Sequence, residues 1–365
     1  MLDPVIAFFE RIFHAIGRGI GVVVSFILWP FVTVAGWFAE RGFVIKVIVG
    51  GILAVFLGLY GYFFWQSQVW SGFDPEYPSK REVIAATPGA DLGGGKCAPS
   101  AMVAATADLI DFNVNQNAWI SSMILYKAGF FGIDWDHTPF FDNKAAFQRG
   151  VNQAIRRTTV EFVDTLGRVR GTSQVDGNLQ DARGALQFDE YTWYFGVNPF
   201  GPKTPTPSFY RSAIADLETF NTRLANCEAI YDARTDNLIQ FIDRIAADVG
   251  STSAILRDRS ENYNGGWFDT RADDRFWFSY GQLYGYYGIL KATRDDFRDV
   301  VVQRNLEQLW DEMDGHLSAA MKIQPFIISN GNESGWIMPT HLATMGFYVL
   351  RFRSNLVEMR AILDR

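Results

Sequence analysis

One stretch limits what this chain can fold into more than any other. It is Val47 to Trp65, VIVGGILAVFLGLYGYFFW, 19 residues without a charge, Asn, Gln or Pro. A helix rises about 1.5 Å per residue, so this one covers roughly 28 Å, about the hydrocarbon thickness of a bilayer. Lys46 precedes it, and Trp65 and Trp70 stand near its end, where headgroups favour a basic group and indole rings. A transmembrane helix is expected over 47–65. It lies too deep in the chain, with no small-x-small site after it, to read as a cleaved signal peptide.

A second uncharged run, Gly19 to Ala39, comes first and is interrupted by Pro30. Three readings compete for it. It can be a second span, turning back at Glu40–Phe43, or a re-entrant helix. It can also be the inner part of an interfacial helix that begins near Pro4 and carries Glu10, Arg11, His14 and Arg18 on its wet face. Basic residues favour the cytoplasmic side. Arg11, Arg18, Arg41 and Lys46 precede or flank the main span, whereas only Lys80 and Arg81 follow it closely. The expectation is one span, a cytoplasmic amino terminus and a large domain outside, in the periplasm. Two stripes of small residues, Gly50–Ala54–Gly58 and Gly17–Gly21–Ser25, are the expected interaction surfaces, because such spacing lets helix backbones approach closely in lipid. The competing reading is that glycine is simply common in membrane helices.

The remainder is acidic. The chain carries −7 overall, residues 1–66 carry +1, and residues 67–365 therefore carry −8. That argues against nucleic acid, whose phosphates need a basic face. Residues 71–99, with prolines and Gly93-Gly94-Gly95, read as an extended, partly flexible linker. Lys96 after the glycines is followed by Cys97 rather than Ser or Thr, so a phosphate loop is rejected.

From residue 100 to 365 the apolar spacing is three and four, which predicts a helical bundle. Leu217, Phe220, Leu224, Cys227, Tyr231, Leu238, Phe241 and Ile245 follow a heptad step with Arg234 as the one polar intruder. This predicts one long helix, with Cys227 a buried apolar residue and Arg234 buried and paired. A disulfide between Cys97 and Cys227 is the alternative outside the cytoplasm. Residues 276–319 read as a second long block, whose Gly281, Gly285 and Gly288 suit a closely packed neighbour. Asn198–Ser208, with four prolines, predicts an extended crossing.

Candidates for chemistry are sparse. Asp134, Asp136 and His137 are the metal candidates, to be completed by His316, His341 or Glu333. Turn and capping roles are the plainer reading of the same residues. Glu190, beside Asp189, and Glu333 are the catalytic candidates for glycoside cleavage, with Tyr191, Trp193, Tyr194 and Trp336 as a sugar-binding surface. Aromatics this frequent are more often core. No G-x-S-x-G occurs.

Five stretches can be read together: TTVEFVDTLGRVRGTSQ (158–174), FDEYTWYFG (188–196), PFGPKTPTPSFYRS (199–212), GWFDTRADDRFWFSYGQLYGYYGIL (266–290) and IISNGNESGWIMPTHLATMGFY (327–348). They resemble a family of proteobacterial membrane-anchored proteins catalogued only as a domain of unknown function. The resemblance covers most of residues 100–365. It implies a bacterial inner-membrane protein with one amino-terminal anchor, and no reaction, ligand or catalytic residue.

The expectation is therefore a mainly α protein. Residues 1–70 form a membrane region, 71–99 a linker and 100–365 a helical-bundle domain. The expected role is structural, scaffolding or that of an accessory subunit. Its partners are membrane lipid and a protein partner or second copy through the membrane helices, with no cofactor and no nucleic acid. The alternative is a periplasmic enzyme or ligand binder acting on cell-wall or lipid substrate. Convergence of 188–208 and 329–340 on one pocket would favour that alternative.

Overall fold

The computed structural model describes residues 3–80, 86–130, 132–138, 140–167, 175–335 and 337–365, with side chains described from residue 13 onward except residue 15. The expectations placed on the side chains of Glu10 and Arg11, and on Arg81 and Trp336, lie outside these. The elements in order are α1 (Asp3–Ala39), α2 (Phe43–Gln68), β1 (Asp91–Gly93), β2 (Lys96–Cys97), α3 (Ala101–Asp111), α4 (Ile124–Ala128), α5 (Asn143–Glu161) and α6 (Gly177–Leu186). There follow β3 (Phe195–Val197), β4 (Phe200–Pro202), α7 (Thr206–Ala225), α8 (Thr235–Asn262), α9 (Ala272–Asp296), α10 (Arg298–Gln303), α11 (Glu307–Met321) and α12 (His341–Leu363). The protein is mainly α, and the chain divides into two compact units, Met1–Tyr62 and Phe63–Arg365.

In the first unit, Ile16–Ala39 and Phe43–Gln68 are each long and apolar enough to cross a membrane. Their large side chains, among them Phe26, Trp29, Val32, Ile52 and Leu53, are exposed. Water would not tolerate that surface, and lipid would. Pro30 does not interrupt α1, which passes through it. Arg41, in the turn between the helices, lies 4.8 Å from the ring centre of Trp37. Among the described residues, a Cβ built on Gly17, Gly21, Gly50 or Gly58 of the two small-residue stripes meets no atom within 4 Å, and Ser25 and Ala54 are exposed.

The second unit is built around α9. Phe276, Tyr280, Leu283, Tyr286, Ile289 and Leu290 are all buried, and α5, α3, α11 and α12 pack about this helix. Its glycines explain how. A Cβ on Gly281 would stand 2.1 Å from the carbonyl oxygen of Phe147, and one on Gly150 of α5 would stand 2.0 Å from that of Phe278. The two helices touch backbone to backbone, which requires glycine on each side. Elsewhere α8 runs along α12 and α6 along α7.

Two buried carboxylates tie these helices together. Asp248 of α8 accepts from Gln153 of α5 at 2.7 Å, and from Gln282 at 2.6 Å and Tyr286 at 2.7 Å of α9; Arg157 lies 3.2 Å from it. Asp296, the last residue of α9, accepts from the Ser100 hydroxyl at 2.6 Å and from the backbone N–H groups of Ala101 at 2.7 Å and Met102 at 3.1 Å. It thereby satisfies the orphan donors that begin α3.

Several expectations are corrected. The described part of 71–99 is not a loose connector. Phe73 stacks on Tyr284 at 5.6 Å, and the Tyr77 hydroxyl donates to the Tyr284 carbonyl at 2.9 Å. Gly93, Gly94 and Gly95, all with positive φ, form the turn of a β1–β2 hairpin, and Lys96 donates to Asn226 at 2.7 Å. The prolines and glycines shape a packed segment whose aromatics supply its burial.

The predicted long helix over 209–248 is two helices, because α7 stops at Asn226 and Cys227 takes a left-handed φ of 61°. Seam residues on both sides, such as Leu224 and Leu238, are still buried. Cys227 is not a free apolar residue: it is disulfide-bonded to Cys97, with Cα atoms 5.3 Å apart across a sequence separation of 130. Arg234 is not buried. It is the residue before α8, half exposed and paired with Asp232. A periodic seam cannot report a break between helices that happens to keep the period. Residues 276–319 likewise divide into α9, α10 and α11, with Asn305 at φ 53° in the second break. Asn198–Ser208 forms part of a hairpin, with Val197 opposite Phe200, and then enters α7 with Pro207 in its first turn.

Candidate functional site

The least ordinary chemistry lies at the amino-terminal end of α9. Asp273 and Asp274 occupy its first turn, where an acidic residue complements the helix dipole. Asp142 immediately precedes α5 and is 0% exposed. Aspartate in that position ordinarily caps the helix with its side chain. Asp142 makes no such bond. Its carboxylate instead faces those of Asp136 and Asp274, with one oxygen from each lying within 4.8 Å of the others.

Neutralisation is sparse there. Arg149 approaches Asp274 no closer than 3.8 Å, and Tyr126 donates to Asp136 at 3.1 Å. Among the described residues, neither oxygen of Asp142 has a hydrogen-bond partner, nor do Oδ2 of Asp273 and Oδ1 of Asp274. Burial, and then the charges of Asp274 and Asp273, push the Asp142 carboxyl far above the ordinary carboxylate range. Burial raises Asp273 and Asp274 as well. Such a cluster can retain protons or bind a cation.

The neighbourhood is the carboxyl-terminal end of α2. Buried Lys144, two residues after Asp142, donates to the carbonyls of Gln66 at 2.9 Å and Val69 at 2.6 Å, closing that helix end. Burial lowers its pKa to about 8. Gln68 donates to the Phe140 carbonyl at 2.7 Å. Aromatic rings surround the same end. Phe63 lies 5.0 Å from Trp135, Phe64 lies 5.9 Å from Phe141, Trp135 lies 5.1 Å from Phe141, and Phe140 lies 5.8 Å from an almost fully exposed Phe326.

Of the expected metal ligands, only Asp136 belongs to the cluster. Asp134 and His137 are exposed and take part in the turn over 134–138, with the His137 N–H on the Asp134 carbonyl at 3.1 Å. His316 pairs with Asn355 at 2.9 Å, and His341 accepts from the Ser329 N–H at 2.9 Å. These histidines serve the fold and do not converge.

The two catalytic candidates do not converge either. Glu190 is anchored by Arg156 at 2.8 Å and Asn152 at 3.0 Å; Arg156 also binds the carbonyls of Leu186 and Phe188. Glu333 is exposed at the tip of the loop before α12. Among the described residues they share no partner. Tyr194 is exposed, while Tyr191 accepts from Arg149 at 2.8 Å.

Sequence reasoning missed Asp142 and Asp274. Asp142 sits in FFDN, an ordinary helix start, and Asp273–Asp274 sits in TRADDR, between two arginines. The faint signal is an acidic residue close to aromatic residues in each of three places, two of them helix starts. Nothing local distinguishes a capping aspartate from one that turns away from its helix.

No curated protein and no solved structure matches the chain. A family model does, over residues 96–264 and 257–365, and its description is an uncharacterised protein conserved in bacteria. The chain belongs to that bacterial family, DUF2333.

Proposed function

We propose that this is a membrane-anchored envelope protein with a structural, scaffolding or accessory-subunit role, its large domain on the periplasmic side. The observation that carries this reading is the character of α2. Its first part is apolar and exposed, and its last turn, which belongs to the second unit, is closed by bonds from Lys144 and Gln68. A plain tether needs no such closure. The ring of aromatics at this point suits the headgroup region, where aromatic side chains collect.

Two further observations support the placement. Arg11, Arg18, Arg41 and Lys46 precede or flank the main apolar run, against Lys80 and Arg81 close after it, and the disulfide suits an oxidising compartment. The small-residue stripes, bare in the single chain, are the surfaces this reading offers to a membrane partner or a second copy. The enzyme alternative rests on Glu190 and Glu333, which share no partner among the described residues.

Single cysteines introduced at positions 3, 43 and 251 test the topology, since both native cysteines are bonded and silent. An impermeant thiol reagent applied from the periplasm should label 251 and spare 3 and 43. Labelling of 3 together with 251 would make α1 a second span. Protection of 251 would overturn the placement. Co-purification after mild solubilisation, with proximity labelling, tests the role: a partner of fixed stoichiometry, lost when Gly50 and Gly58 become Leu, is the expected result.

A further inference from the structure

We infer that Asp136, Asp142 and Asp274 form a binding site for a hard divalent cation of the calcium, magnesium or manganese class. Three observations lead there. The first is spacing. Oxygens bound to one cation at about 2.4 Å stand at most about 4.8 Å apart, as opposite ligands do. The three carboxylates already lie within that limit of one another.

The second is the state of Asp142. It is fully buried, gives up the helix cap its position offers, and has no donor on either oxygen among the described residues. The contrast with the other buried carboxylates is direct. Asp248 has four partners and Asp296 three, all supplied by the protein. At Asp248 and Asp296 the protein provides hydrogen-bond donors, and at Asp314, whose oxygens likewise lack hydrogen bonds, it provides Lys291 at 2.5 Å. At Asp142 it provides carboxylates instead, an arrangement that a cation completes and a lone protein leaves costly.

The third is access and ligand type. Asp136 is only partly buried and opens the cluster toward solvent. The donors are all carboxylate oxygens with no sulfur or imidazole among them, which favours hard cations over zinc. The three ligands come from separate places: the loop after α4, the start of α5 and the start of α9. A bound cation therefore ties the aromatic loop beside α2 to the central helix. The inference does not depend on which side of the membrane the domain occupies.

The rival is a cluster held together by protons. Full-length protein in detergent separates the two. Thermal unfolding is followed in EDTA and across a titration of calcium or magnesium chloride, with equilibrium dialysis to count bound ion. Expected are a saturable rise in melting temperature of about 5 °C and one ion bound per chain. Limited proteolysis within 124–140 should slow in parallel. Asp142→Asn and Asp136→Asn should each fold and lose both the rise and the bound ion. Wild-type protein that binds no ion and melts alike in both conditions overturns the inference. Cation effects that persist undiminished in both variants also overturn it, because the ion would then sit elsewhere.

Discussion

The two ends of α9 bury acidic side chains to a similar depth and use them in opposite ways. At the carboxyl-terminal end, Asp296 is met by a hydroxyl and two backbone N–H groups, so its charge is spent on starting α3. At the amino-terminal end, Asp273 and Asp274 face further carboxylates, and Arg149 is the near cation at 3.8 Å. Burial alone therefore does not tell a structural carboxylate from a candidate site. The donors around it do. One helix carries both kinds, and its position is fixed between them by close backbone packing on α5.

Breaking that packing should disturb both ends together. Gly281→Ala places a Cβ against a carbonyl oxygen with no room to yield, and is expected to cost about 4 kcal/mol or more. Loss of cooperative unfolding by circular dichroism would report it, whereas a mild effect would mean that α5 and α9 can separate without harm. Asp296→Ala removes the acceptor for three donors. It should cost about 3–5 kcal/mol in urea unfolding, and the cost should be the same with or without added cation. A cation-dependent cost would join the two ends that are distinguished here.

Acid titration separates the ends further. Burial raises Asp296 to about 6 from an ordinary value of 3.8. The folded state thus holds more protons than the unfolded state between those values, so this residue's contribution to stability falls as pH rises from about 4 to about 6. The fall is at most about 3 kcal/mol, measured as the slope that wild type shows and Asp296→Ala lacks. A smaller effect is expected beside the amino-terminal end. Lys144→Met keeps the buried stem and removes the donor to Gln66 and Val69, at a cost of about 1–2 kcal/mol. Fraying near residue 66, read by amide exchange, should accompany it. Smallest of all is Arg234→Ala. The side chain is half exposed and pairs across a turn with Asp232, so no measurable change in melting temperature is expected.

That last residue shows what the sequence could and could not disclose. Periodicity placed Leu224 and Leu238 correctly in the core, since burial follows the apolar step whether or not the helix is continuous. It misplaced Arg234 and Cys227, because the turn between α7 and α8 carries neither proline nor glycine to mark it. The apolar runs before residue 70 were legible, because nineteen uncharged residues admit few fates. The close approach at Gly281 was anticipated from the glycine spacing. Asp136 was singled out for the wrong company. Its companions come from positions 142 and 274, and only tertiary structure brings them together. The Cys97–Cys227 bond was an open alternative for the same reason: a separation of 130 residues leaves no local trace.

The placement of α9 within the chain has a consequence for how the protein is made. Its residues are 272–296, yet Tyr77 rests on its Tyr284 across 207 positions, and α5 leans on it throughout. Early segments must wait for a partner that the ribosome has not yet produced. Closing such distant contacts is slow, and it leaves apolar surface uncovered during synthesis. The two helices long and apolar enough to cross a membrane are thus synthesised first, while the domain's central helix is still to come. Truncation before residue 272 should leave a chain anchored but unable to fold, and a substrate for quality-control proteolysis.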